Sequence, residues 1–130
     1  WVSHSLTNVS HKGTAMSYPS GTFSFPVTGL WRVGLAAAVY KSTSDCRQAE
    51  AIIRTTANNS SYSDVAKTDM NTIQGSQASN THASGYCEII LGITDLSNHK
   101  VQIGFSATAS VTGYGSAGRW NLTFIRLGDT

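Results

Sequence analysis

Residues 29–40, Gly-Leu-Trp-Arg-Val-Gly-Leu-Ala-Ala-Ala-Val-Tyr, make a stretch with no polar face. Successive side chains of a strand point to opposite sides. Trp31, Val33, Leu35, Ala37 and Val39 therefore share one face, and Leu30, Gly34, Ala36, Ala38 and Tyr40 the other, with Arg32 the only charge. A strand with one face in water alternates apolar with polar residues, so a strand apolar on both faces is covered on both. A chain of 130 residues builds one sizeable core, and that core covers one face. Two further copies of the same chain are the expected cover for the second.

The rest of the chain reads as shorter strands and turns. Residues 1–12 form an irregular edge strand, 22–25 a short alternating strand stopped by Pro26, and 47–56 a strand with Ala49, Ala51, Ile53 and Thr55 inward. Residues 62–73 carry Tyr62, Val65, Met70 and Ile73 in a polar background and read as a further strand. Residues 74–84 are polar throughout and read as a long loop. In 86–91 the final Ile89-Ile90-Leu91 is apolar on both faces. Val101, Ile103, Phe105 and Ala107 alternate cleanly with polar or small residues. In the last run Trp120, Leu122 and Phe124 share one face, and Ile125 and Leu127 lie on the other. No stretch sustains a 3.6-residue apolar period. Seven or eight short, evenly spaced strands predict a single all-β domain over 1–130, a sandwich or jelly roll.

Composition removes several classes of function. Charged residues are only 12 %, and the formal net charge of +2 comes from Lys and Arg scattered singly, so nucleic acid is not an expected partner. No apolar run approaches the ~18 residues of a membrane helix. The chain opens on Trp1 with no charged-then-apolar leader, which reads as the C-terminal head of a longer chain.

Candidate chemistry is thin. Cys46 and Cys87 permit one disulfide or two half-buried thiols, and neither has the C-x-x-C or spaced His of a metal site. Gly113-Tyr-Gly-Ser-Ala-Gly118 has the spacing of a dinucleotide fingerprint, but a strand follows it where a helix is required, so it reads as a hairpin loop. His4, His11, His82 and His99 are dispersed, and the seven carboxylates offer no paired acid and base. No enzyme activity, cofactor or metal is expected. Glycosylation triplets at Asn8, Asn58, Asn59 and Asn121 are chance products of a Ser/Thr/Asn-rich chain.

Three motifs carry a family resemblance. Phe23-Ser-Phe-Pro-Val-Thr-Gly-Leu-Trp-Arg-Val33 resembles the F-x-x-P-x-x-G-x-Y-x-F signature of the complement C1q globular head and its tumour-necrosis-factor-like relatives. Cys87-Glu-Ile-Ile-Leu-Gly-Ile-Thr-Asp-Leu96 resembles that family's L-x-L-x-x-G-D-x-V strand and turn, although Asp95-Leu-Ser-Asn98 lacks its Gly-Asp. Trp120-Asn-Leu-Thr-Phe-Ile-Arg-Leu127 is similar to its closing strand. The likeness spans most of residues 22–127.

The resemblance implies an antiparallel jelly-roll sandwich of ten strands that assembles as a homotrimer. It places 29–40, 86–91 and 119–127 in the sheet facing the three-fold axis, and 47–56 and 101–108 in the outer sheet. Leu30, Gly34, Ala36, Ala38 and Tyr40 then line the trimer interface with Ile90, Ile125 and Leu127, the small residues allowing close approach. Loops 41–46, 74–84 and 112–118 gather at the apex. Cys46 and Cys87 fall near that end on neighbouring strands, where a disulfide is feasible if their Cα atoms lie within about 4.4–6.8 Å. Lys41, Asp45, Asn80 and Thr81, with His82, Tyr114, Ser116 and Arg119, become the candidate ligand-binding groups of the apex.

The function so implied is a non-enzymatic, trimeric recognition head. A bacteriophage tail-fibre or spike tip that contacts a host-surface glycan or protein is the first reading, with an extracellular, virion-borne location. A capsid-decoration protein is the second, and a secreted C1q-like adhesion module the third. An esterase or glycosidase is disfavoured because no acid–base pair is evident.

Overall fold

The computed structural model describes residues 13–41, 45–70, 80–113 and 119–130. The expected edge strand at 1–12 lies outside them. The described residues form eight strands: β1 (Thr22–Ser24), β2 (Gly29–Lys41), β3 (Ala49–Thr56), β4 (Ser63–Met70), β5 (Thr81–Ile93), β6 (Lys100–Ala107), β7 (Thr112–Gly113) and β8 (Asn121–Gly128). One 3-10 turn, Pro19–Gly21, is the only helical element among them.

The strands form two antiparallel sheets packed as a β-sandwich. One sheet runs in the order β1-β6-β3-β4. In the other, β2 is central: β5 pairs with one edge over its whole length, from Gly29 opposite Ile93 to Lys41 opposite Thr81. β8 and then β7 pair with its other edge. The stretches expected on the axis (29–40, 86–91 and 119–127) thus fall in one sheet, and 47–56 and 101–108 in the other.

Between the sheets lies an apolar core. Trp31, Val33, Leu35, Ala37 and Val39 of β2 all face it, as their alternation predicts, and meet Ala49, Ala51 and Ile53 of β3. Phe25 packs against Trp31 and Phe124, with ring centroids 5.3 and 5.9 Å apart, closing one end of the sandwich. The indole N–H of Trp31 donates to the Val27 carbonyl at 3.2 Å, so its polar atom is paired even though the ring is buried. At Gly29 the backbone turns with φ +136, a left-handed geometry that glycine adopts without a Cβ penalty.

Three expectations are corrected. First, β5 begins at Thr81, so 81–84 are strand and not loop. Their polarity misleads because half of these side chains point away from the core, while β2 pairs their backbone. Second, the strand read over 62–73 is observed as Ser63–Met70, and it is not regular. The register jumps from Ile53–Ala66 to Arg54–Asp64, leaving Val65 in a β-bulge and exposed, while Met70 is buried. Third, Phe105 is 42 % exposed, set edge-on against Trp120 at 6.0 Å where the sandwich opens. Of the two alternatives open for Cys46 and Cys87, the structure has them as free thiols, both buried. The Cys46 thiol donates to the Gln48 carbonyl at 3.2 Å, and the Cys87 thiol points to that of Ala51 at 3.9 Å. Each thiol thus turns to a different carbonyl, one just before β3 and one within it. Burial pushes the Cys87 thiol pKa up, keeping it protonated.

Candidate functional site

The two outward faces of the sandwich differ in kind. On the sheet containing β3, outward side chains form ion pairs in water. Asp64 accepts from Arg54 at 2.7 Å and lies 2.8 Å from Lys67, and Gln48 donates to Glu50 and Asp69. Lys67, then Arg54, hold the Asp64 carboxyl below its ordinary pKa. This is an ordinary solvated surface.

The outward face of the sheet centred on β2 exposes large apolar side chains. Leu30, Ile125 and Leu127 are 39–52 % exposed, and Ile90 is 58 % exposed. The register brings them together, since Arg32 of β2 lies opposite both Ile90 of β5 and Ile125 of β8. These four side chains form an exposed apolar group on an otherwise mixed face.

Of the eight residues predicted to line an interface, these four form the open apolar patch. The others behave differently. Tyr86 of β5 crosses β2 and lies on Gly34, so that a Cβ added there would sit 2.6 Å from the Tyr86 hydroxyl. Gly34 is therefore covered by its own chain and is not an open approach for another copy. Ala38 is only 8 % exposed, while Ala36 and Tyr40 are half-buried.

Sequence reasoning missed the polar centre of this face. Arg32 Nε donates to Glu88 Oε2 at 2.9 Å, Arg32 Nη2 donates to the same oxygen, and the Tyr86 hydroxyl donates to it at 2.6 Å. The bonds from Tyr86, then from Arg32, hold the Glu88 carboxyl below its ordinary pKa. The bond to Glu88 in turn raises the Tyr86 phenol pKa, so at neutral pH the cluster is one cation, one anion and a neutral phenol. Counting back by twos from Ile90 reaches Glu88 and Tyr86, but their meeting with Arg32 depends on a strand register that the sequence does not display.

The apical candidates are brought together only in part. Lys41 lies opposite Thr81 and its ammonium donates to the Ser110 carbonyl. Tyr40 and His82 are cross-strand neighbours with ring centroids 5.8 Å apart. Asp45 is exposed just before Cys46, Asn80 is exposed just before β5, and Arg119 is exposed just before β8. The Trp120 indole donates to the Ala38 carbonyl at 2.6 Å and ties the start of β8 to β2. Tyr114 and Ser116 lie outside the described residues.

At the end opposite the apical loops, Thr56, Leu91, His99 and Lys100 line a recess of about 130 Å³. Ligand pockets are typically about 300–1,000 Å³, so it is too small for such a role. Among the described residues no group of three His, Cys, Asp or Glu is placed to hold a metal ion, and no helix is long and apolar enough to cross a membrane. A scan against protein-family models finds no match. A search of curated proteins finds none either.

Proposed function

We propose that this chain is the non-enzymatic recognition head of a homotrimer, folded as a jelly roll of the C1q and tumour-necrosis-factor type. Three copies cluster about an axis through the β5-β2-β8 sheets and present their apical loops to a host-surface glycan or protein. One observation carries this reading: among the described residues, only one of the two outward faces exposes a group of large apolar side chains, Leu30, Ile90, Ile125 and Leu127, around its single central ion pair, and that face belongs to the sheet that the resemblance assigns to the axis. The resemblance enters as support from short motifs, and the strand order β1-β6-β3-β4 against β5-β2-β8 agrees with it.

Recognition suits the apex better than catalysis does. His82 lies beside the Tyr40 ring, and Lys41 and Thr81 form the next cross-strand pair, so this end of the sheet offers cationic, hydroxyl and aromatic groups of the kind used in polar surface recognition. The carboxylates Asp64, Glu88 and Asp95 are each engaged by Lys67 and Arg54, by Arg32 and Tyr86, or by turn amides. Three equivalent sites around one axis would turn weak individual contacts into firm attachment. The fibre or spike tip of a virus is the setting proposed for such a head.

The test is binding of the isolated domain to a glycan array and to whole cells. Binding is expected to fall when His82→Ala and Arg119→Ala are combined, and to fall further when trimerisation is abolished. Binding unchanged by both, or turnover of a bound polysaccharide, overturns the proposal.

A further inference from the structure

We infer that Arg32, Tyr86 and Glu88 form a polar lock between copies, which restricts the apolar face to a second copy of this chain in one register. The inference rests on the trimeric reading above and concerns what that interface recognises.

The lock is one-sided within the protomer. Two Arg32 nitrogens and the Tyr86 hydroxyl all donate to a single oxygen, Glu88 Oε2. Among the described residues, Glu88 Oε1 accepts no hydrogen bond and Arg32 Nη1 donates none. The cluster is held from below, because Tyr86 lies on Gly34 and any larger residue there would displace its ring. Its neighbours across the strands are Ile90 and Ile125.

A partner that covers those isoleucines also removes water from the lock. Buried polar groups left without partners are costly, and charged ones more so. An unrelated apolar surface would strand one anionic oxygen and one guanidinium nitrogen. A second copy carries the same two atoms, so Nη1 of one protomer can donate to Oε1 of the next. Around a three-fold axis each protomer gives one such bond and receives one, which closes the ring with no charge left over. The face is thus complementary to itself and to little else.

The test uses charge swaps on the whole 130-residue chain, with mass followed by sedimentation. Both side chains are more than two-fifths exposed, so Arg32→Glu and Glu88→Arg are expected to leave the protomer folded, which near-UV circular dichroism checks. Each variant alone should associate about tenfold or more weakly than the unmodified chain. The double variant Arg32→Glu with Glu88→Arg should recover trimers, since residue 32 of every protomer then meets residue 88 of the next with opposite charge. Glu88→Gln, which keeps the shape, should also weaken association, and it replaces any swap that fails to fold. If the unmodified chain is trimeric but the double swap rescues nothing, or if both single swaps assemble as well as the unmodified chain, the lock is refuted and the trimer stands. A monomeric unmodified chain refutes both.

Discussion

Ile90 sits beside Arg32 on the outward face, and 58 % of it is exposed in the protomer. Fully burying an isoleucine is worth about 1.5–3 kcal/mol. The fraction of Ile90 still open to water is therefore worth about 0.9–1.7 kcal/mol per protomer on assembly, or about 3–5 kcal/mol around a three-fold ring. That corresponds to about two to four decades in the association constant. Ile90→Asp removes this gain and adds a carboxylate whose desolvation costs several kcal/mol more. Expected is a folded protomer with a cooperative melt of its own, and no trimer at micromolar concentration by analytical ultracentrifugation. Ile90→Asp that sediments as a trimer would refute the reasoning, because the apolar gain is then absent and a carboxylate has to be desolvated in its place.

Gly34→Ala should separate folding from assembly. The methyl pushes Tyr86 off Glu88, while alanine in a strand is favoured over glycine by about 0.5–1 kcal/mol; the monomer should melt no lower, and trimer yield on gel filtration should fall. Leu35→Ala empties the middle of the sandwich, where the side chain is buried, and should cost about 2–5 kcal/mol in denaturant unfolding. Acid should destabilise the fold through Asp95, Asp64 and Glu88, whose carboxyls are held below their ordinary pKa chiefly by Asn98, Lys67 and Tyr86 respectively. A depressed folded pKa contributes stability that is fully present above the ordinary carboxylate value of about 4 and is lost as pH falls through the folded value. Melting temperature should thus be flat with respect to these groups above about pH 5 and fall below about pH 4, and Asp95→Asn should reduce that acid dependence.

Much of the architecture was legible because burial leaves a period in the sequence. Two-sided apolar stretches marked β2, β8 and the end of β5, and one-sided alternation marked β3 and β6; it was the resemblance that sorted them into two sheets, and they do fall so. Where burial leaves no such trace, reading failed. The first residues of β5, Thr81–Gly85, have an outward side with nothing apolar, so strand and loop look alike. The bulge at Val65 shifts a register that alternation alone keeps constant. The candidate face was half legible: Leu30, Ile90, Ile125 and Leu127 follow from the pleat, but the crossing of Tyr86 over Gly34 follows from strand pairing. The thiols illustrate the same limit, since two cysteines near one end of a sandwich still point to carbonyls three residues apart.

Multi-angle light scattering of the unmodified chain, diluted through the micromolar range, tests the central claim most directly. A mass three times that of the 13.8 kDa protomer, giving way to smaller species only on further dilution, is the predicted result. A constant 13.8 kDa across that range, with Ile90 and Leu127 left in water, would contradict it.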